Sequence, residues 1–253
     1  MKVYVGCCGF PMSRRRYYDT FDTVELQETF YNRPDPERMA RLRGEAPESF
    51  VFNMKAWQAV THPPSSPTWR RCRLKVPPEL ADRYGYLRPT EENLEAWERT
   101  LEICRALGAT VCVLQTPASF KPTPENVSNA EAFFSTIRRD GVMIAWEPRG
   151  AWHDHPELIK KICDAHDVIH VVDLLRRRPV SSHPVAYVRL HGLGPGEVNY
   201  RYKYTDEDLR RLLDLVLELA REKEAVYVLF NNVHMRDDAK RFLSLLRQAT
   251  QSE

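Results

Sequence analysis

Groups that can bind charge or move protons recur in this sequence at one kind of place, the downstream ends of short apolar runs. TVELQ (23–27) finishes on Glu25 and Gln27, FVFNMK (50–55) on Lys55, and TVCVLQ (110–115) on Gln115. VMIAWE (142–147) finishes on Glu147, with Arg149 close behind, and VIHVVDL (168–174) carries Asp173. AYVRLHG (186–192) ends with Arg189 and His191, and AVYVLFNN (225–232) with Asn231 and Asn232. Carboxylates and imidazoles are the usual proton carriers, guanidinium and ammonium groups pair with anions, and amides supply both donors and acceptors. Gathered in one place, such a set could hold a phosphate or carboxylate and transfer protons on the molecule that bears it.

The spacing says which way these side chains point. Glu25 and Gln27 have the period of a strand, as do Arg189 and His191, so each pair lies on one side while Val24, Leu26, Val188 and Leu190 lie on the other. A buried, unpaired guanidinium is costly, so Arg189 requires carboxylate partners or a bound anion. In a purely structural outcome Glu25, Glu147, Lys55, Arg149 and Arg189 pair among themselves and plug one end of the sheet. A plug needs neither histidine nor amides on the neighbouring strands, and their presence points to a site.

What must position these groups is a parallel sheet. With VYVG (3–6) added, the runs number eight, each too apolar to face water on either side and each followed by a helix-like stretch. The clearest helices are 89–108, with Thr90 as N-cap and Gly108 as C-cap, and 205–223, opened by Thr205 with leucines at helical spacing. Eight β then α units predict a closed (β/α)8 TIM barrel, a single domain over 1–253. In such barrels the site sits at the C-terminal strand ends, where these residues fall. A doubly wound open sheet is the alternative, but GCCGF after the first strand is not a GxGxxG phosphate loop. A proline-rich insertion, 62–90, breaks the spacing after the third strand and is read as an ordered flap over the barrel mouth.

The 253 residues are 43% hydrophobic, and 37 Lys plus Arg against 35 Asp plus Glu leave a formal charge of +2. That balance gives no global argument for nucleic acid or membrane. No apolar stretch approaches the roughly 18 residues that span a bilayer and no signal-peptide core opens the chain, so a cytoplasmic protein without membrane partners is expected. The six cysteines lack a CxxC pair and read as reduced structural thiols. A Cys72 bridge stays open, because arginine outnumbers lysine as in a thermophile or a GC-rich genome.

Segments along nearly the whole chain also resemble, in order, those of one known family. They are GxxGF at Gly6–Phe10, FDTVELQETFY at 21–31, FVFNMKAWQAVTH at 50–62, LQTPASF at 114–120, an EPRxxxW element at Glu147–Trp152, YVRLHG at 187–192, Tyr200, and VYVLFNN at 226–232. The chain is thereby similar to the YecE-like proteins, domain of unknown function 72. The resemblance implies a TIM barrel of no established activity, and Glu25, Lys55, His62, Glu147, Arg149, Arg189, His191 and Asn231 match the family pattern. Gln27, Gln58 and Pro148 depart from it, standing where the family usually has asparagine, arginine and phenylalanine.

Lys55, Arg149 and Arg189 with His62 and His191 outnumber Glu25, Glu147 and Asp173, which favours a small anionic or phosphorylated ligand. Gln27, Gln115, Tyr200, Asn231 and Asn232 are further binding groups, with Glu25 or Glu147 as general base and His191 as its acid–base partner in hydrolysis or proton transfer. The runs SRRRYY (13–18), WRRCRLK (69–75), LRRRP (175–179) and YRYK (200–203) fall by topology on the same face and add nucleic acid or a nucleotide as a partner. No resident cofactor is expected. The alternative is a divalent metal on Glu25, Glu147, Asp173 and His191, as in xylose-isomerase-like and endonuclease-IV-like barrels, opposed by Arg149 and Arg189 beside those ligands. Lys55 is also a candidate Schiff-base amine where a neighbouring cation lowers its pKa. A non-catalytic barrel that binds a nucleotide or partner is the remaining class, and the oligomeric state is not legible.

Overall fold

Parallel strands close in chain order into a barrel in the computed structural model, which describes residues 2–251. They are β1 (Lys2–Cys8), β2 (Thr23–Leu26), β3 (Val51–Lys55), β4 (Ala109–Gln115), β5 (Met143–Glu147), β6 (Val168–Val172), β7 (Val185–Leu190) and β8 (Ala225–Phe230). β8 pairs back onto β1 from Lys2↔Ala225 to Cys7↔Phe230, and this closure rules out the open sheet. The helices are α1 (Arg14–Tyr18), α2 (Glu28–Tyr31), α3 (Pro36–Glu45), α4 (Gln58–Thr61), α5 (Glu91–Leu107), α6 (Pro124–Thr136), α7 (Pro156–Ala165), α8 (Asp206–Glu222) and α9 (Met235–Gln251).

Local chemistry sets the helix ends. The Thr90 hydroxyl accepts from Asn93 N, and α5 stops at Gly108, whose φ of 63° is a left-handed conformation. Thr205 and Asp208 cap one another's backbone N–H at the start of α8. Strand alternation then sorts the apolar residues into two cores. Val113, Ala145, Ile169, Val171, Tyr187, Tyr227 and Leu229 fill the barrel interior. Val24, Leu26, Phe52, Met54, Val188 and Leu190 face outward and pack with the helices. The interior is polar only where partners exist: Asn53 donates to Thr23 Oγ1 at 2.9 Å and accepts from Val111 N at 3.1 Å.

The 62–90 insertion is anchored beside α2 and α4, and none of its residues lines the mouth cavity. Asn32, just after α2, grips it twice, donating to Arg71 O at 2.8 Å and accepting from Arg73 N at 2.6 Å. Gly85, Tyr86 and Leu87 bond back to Ala59, Thr61 and Val60 carbonyls, and Trp69 Nε1 donates to His62 O at 2.9 Å. These anchors lie on α2, α4 and the turn after it, which pins the segment to the β2–β3 side. All six cysteines, Cys72 included, are buried and unbridged. No helix among the described residues is long and apolar enough to cross a membrane.

β1 passes β2 closely at Gly6, where a Cβ would lie 1.9 Å from the Thr23 carbonyl oxygen. Gly6→Ala is expected to cost about 3 kcal/mol by forcing these strands apart, whereas Gly44→Ala, in open space on helix α3, should stabilise by about 0.5–1 kcal/mol. Urea unfolding of the two variants checks the contrast.

Candidate functional site

Barrel closure brings the inward-facing ends of β2, β5 and β7 together around one guanidinium. Arg189 is 1% exposed. Its Nη2 lies 2.8 Å from Glu25 Oε1, and its Nη1 bonds Glu147 Oε2. Tyr187 donates its hydroxyl to Glu25 Oε2 at 2.9 Å, and the Gln27 amide donates to the other Glu25 oxygen. Arg149 Nη2 sits 2.7 Å from Glu147 Oε1. Both carboxylates are therefore neutralised by arginine and hydrogen-bonded on both oxygens, as buried charges must be.

His191 closes the network from the strand-end loop. Its Nε2 is 2.8 Å from Glu147 Oε1 and 3.0 Å from Arg149 Nη2, and its Nδ1 is 3.1 Å from the Asn231 amide nitrogen. The tautomer sets the direction of these bonds: a protonated Nε2 donates to Glu147, and an unprotonated Nε2 accepts from Arg149. Burial, only partly opposed by Glu147, pulls its pKa down to about 4. Burial pushes Glu147 upward, but Arg149, Arg189 and His191 outweigh it and hold the carboxylate well below its ordinary value. Glu147 is thus a poor base. Asp173 lies beneath, accepting from the His191 and Leu175 backbone N–H groups at 3.2 and 3.1 Å, and burial raises it to about 6. It orients the His191 backbone and sends no side-chain bond into the Arg189 cluster.

Lys55 differs from the other cations: among the described residues it has no carboxylate within ion-pair distance. Its Nζ stands 3.8 Å from the centroid of the Phe30 ring, and the side chain lines a cavity of about 410 Å³. Burial, then the Arg189 charge, pulls its pKa down to about 7, against the opposing pull of Glu147 and Glu25. Gln27, Tyr31, Gln115, Tyr200, Asn231 and Asn232 line the same cavity, with Val233 and Met235 at its apolar side. His62 is buried edge-on against Phe30, with Nδ1 2.8 Å from Thr61 Oγ1, and does not line the cavity. Burial, then Lys55, lowers it to about 3, so it carries no charge to an anion.

The expected excess of cations over carboxylates is corrected accordingly. Arg149 and Arg189 are engaged internally, both histidines are neutral at pH 7, and Lys55 alone among the cluster cations faces the cavity. Much of the basic loop charge is also engaged: Arg14 pairs with Glu45 at 2.8 Å, Arg178 pairs with Glu218, and Arg176 donates to Gly192 O at 2.8 Å. The sequence reading did not single out Tyr187, which shares strand parity with Arg189, or Phe30, which lies in the family-like segment 21–31 but has no polar group to mark it.

The model of the family described as protein of unknown function DUF72 matches residues 11–253, and the chain belongs to that family. A DUF72 family protein of Thermotoga maritima is 24% identical, with 98% of this chain and 100% of that one aligned and a TM-score of 0.72. One from Enterococcus faecalis is 20% identical over 97% and 98%, with a TM-score of 0.73. Endonuclease IV of Thermus thermophilus superposes over 100% of both chains at 13% identity, with a TM-score of 0.55. At these identities the likeness shows the barrel fold. No curated protein matches the chain.

A metal, as the barrel alternative would require, does not fit this donor set. Both Glu147 oxygens are on guanidinium groups, Glu25 has one oxygen on Arg189 and the other on the Tyr187 hydroxyl, and Asp173 accepts from backbone N–H groups. No group of three or more acidic, histidine or cysteine ligands is gathered among the described residues. A divalent ion there would stand against two buried arginines.

Removing the shared guanidinium leaves buried Glu25 without a cation and Glu147 with Arg149 alone, so Arg189→Met is expected to lose about 3–5 kcal/mol at pH 7. Because Glu147 has a depressed folded pKa, its contribution is complete above the unfolded value of 4.5 and fades as pH falls through the folded one. The gap between variant and wild type in chemical denaturation should therefore narrow under acid. Arg189→Lys should recover little, since an ammonium cannot fork to two carboxylates.

Proposed function

We propose that this barrel is an enzyme acting on a small, oxygen-rich anionic molecule, phosphorylated or carboxylated, bound in the mouth cavity. The carrying observation is Lys55, a buried amine with no carboxylate partner among the described residues, lining a cavity whose polar wall is four amides and the phenols of Tyr31 and Tyr200. Amides donate and accept at once, which suits hydroxyl and carbonyl groups, while an ammonium at the cavity wall suits a carboxylate or phosphate. A lysine with a pKa near 7 can also take up and release a proton at neutral pH, the requirement for general acid–base work. In this reading Lys55 transfers the proton, Gln27, Gln115, Asn231 and Asn232 orient the substrate, and the Arg189 network fixes the field in which Lys55 titrates.

Nucleic acid is the second reading. It is supported by Tyr200, 46% exposed at the cavity edge, beside exposed Arg201 and Lys203, the pairing of ring and cation that stacks bases and meets phosphates.

A thermal-shift panel of sugar phosphates, short oxo acids, nucleotides and short single-stranded oligonucleotides separates these readings. A cavity ligand at about 100 times its Kd should stabilise the protein by about 2.7 kcal/mol. Lys55→Met should abolish that gain while leaving the fold intact. Stabilisation by oligonucleotides alone, unchanged in Lys55→Met, would favour the nucleic-acid reading.

A further inference from the structure

Among the described residues every buried charge of the Arg189 cluster has an ion-pair partner, and Lys55 beside it has none. Arg189 is shared by Glu25 and Glu147, Arg149 takes the second oxygen of Glu147, and the neutral His191 bridges Glu147 to Asn231. Lys55 has only the Phe30 face beneath it and open cavity beside it. A lysine meant only to neutralise a ligand would gain nothing from a site in which guanidinium groups already occupy both carboxylates. An amine kept away from carboxylates and close to a fixed cation is the arrangement that frees its lone pair.

We propose that Lys55 is a nucleophile that forms an imine with the carbonyl carbon of a small anionic ketone or aldehyde held in the mouth cavity. The inference rests on the reading of Lys55 as the ligand-facing group of that cavity and goes on to name its chemistry. The amine lone pair attacks the carbonyl carbon, the N–C bond forms, and the C=O π pair moves onto oxygen, which takes a proton. The carbinolamine then loses its hydroxyl as water and a proton from nitrogen, leaving C=N; overall, carbonyl plus amine gives imine plus water. Tyr200, whose phenol lines the cavity and carries its proton at neutral pH, can supply the proton for the departing hydroxyl. For a carboxylate or phosphate on the same ligand the basic group near the cavity is exposed Arg71, 5.0 Å from the ring centroid of the cavity-lining Tyr31.

The charged and titratable groups around Lys55 come from several elements: Glu25 on β2, Glu147 and Arg149 at the end of β5, Arg189 on β7, and His62 after α4. With an amine pKa near 7, about half of Lys55 is neutral at pH 7, against less than about 0.1% of an ordinary lysine.

The test treats the intact protein with pyruvate or dihydroxyacetone phosphate plus sodium cyanoborohydride at neutral pH, followed by peptide mapping. The expected result is reductive labelling at Lys55 at least about tenfold faster than at any surface lysine, with a rate that levels off above pH 7 while surface labelling keeps rising. Lys55→Arg, which keeps the charge and cannot form an imine, should lose this fast phase alone. If either compound stabilises the protein in a Lys55-dependent manner but Lys55 is labelled no faster than surface lysines, imine formation is overturned and the anion-binding reading stands. If neither compound stabilises or labels the protein, both fall.

Discussion

The mouth of this barrel is organised by one guanidinium, Arg189, shared between Glu25 of β2 and Glu147 of β5. Three strands that are not sheet neighbours contribute to it, so it ties the barrel across its interior. Taking these charges out of water is expensive, and two carboxylates with a single arginine would leave a net negative charge; Arg149 removes it. The result is a rigid, nearly neutral floor. Its worth to stability is not the argument for it, because well-packed apolar residues can replace buried ion triads without loss. What an apolar plug could not supply is a fixed electric field beside the cavity.

That field acts on two groups. His191, wedged between Glu147, Arg149 and Asn231, is held neutral and oriented, and Asp173 fixes its backbone from below. Lys55 is desolvated and lies near a cation it cannot escape, while the carboxylates that would restore its charge have their oxygens engaged elsewhere. The Arg189 network is therefore closed on itself, and among the cluster cations Lys55 is the one that lines the cavity. The same geometry explains why a metal finds no place: arginine stands where a cation would have to bind.

Strand alternation made most of this legible. The parity of Glu25 and Arg189, and the clustering of polar residues at strand ends, placed the right side chains on the inner face before any coordinates. What parity does not give is which inward groups meet. Arg189 looked available to a ligand because its partners lie far away in sequence and on non-adjacent strands, and only barrel curvature brings them to it. His62 looked like part of the site, but its ring turns onto Phe30 and Thr61. The insertion reads as a flap from its prolines and its place after the third strand; the hydrogen bonds that anchor it, to Asn32, Ala59 and Thr61, have no local sequence signature.

The most direct measurement is the titration of Lys55 Nζ by heteronuclear NMR on protein labelled at lysine nitrogen, with Lys55→Met supplying the assignment. A midpoint near 7 is expected from a desolvated amine beside Arg189. A midpoint near the ordinary lysine value of 10.5 would mean that the amine is solvated or paired, and that the mouth does not hold a reactive lysine.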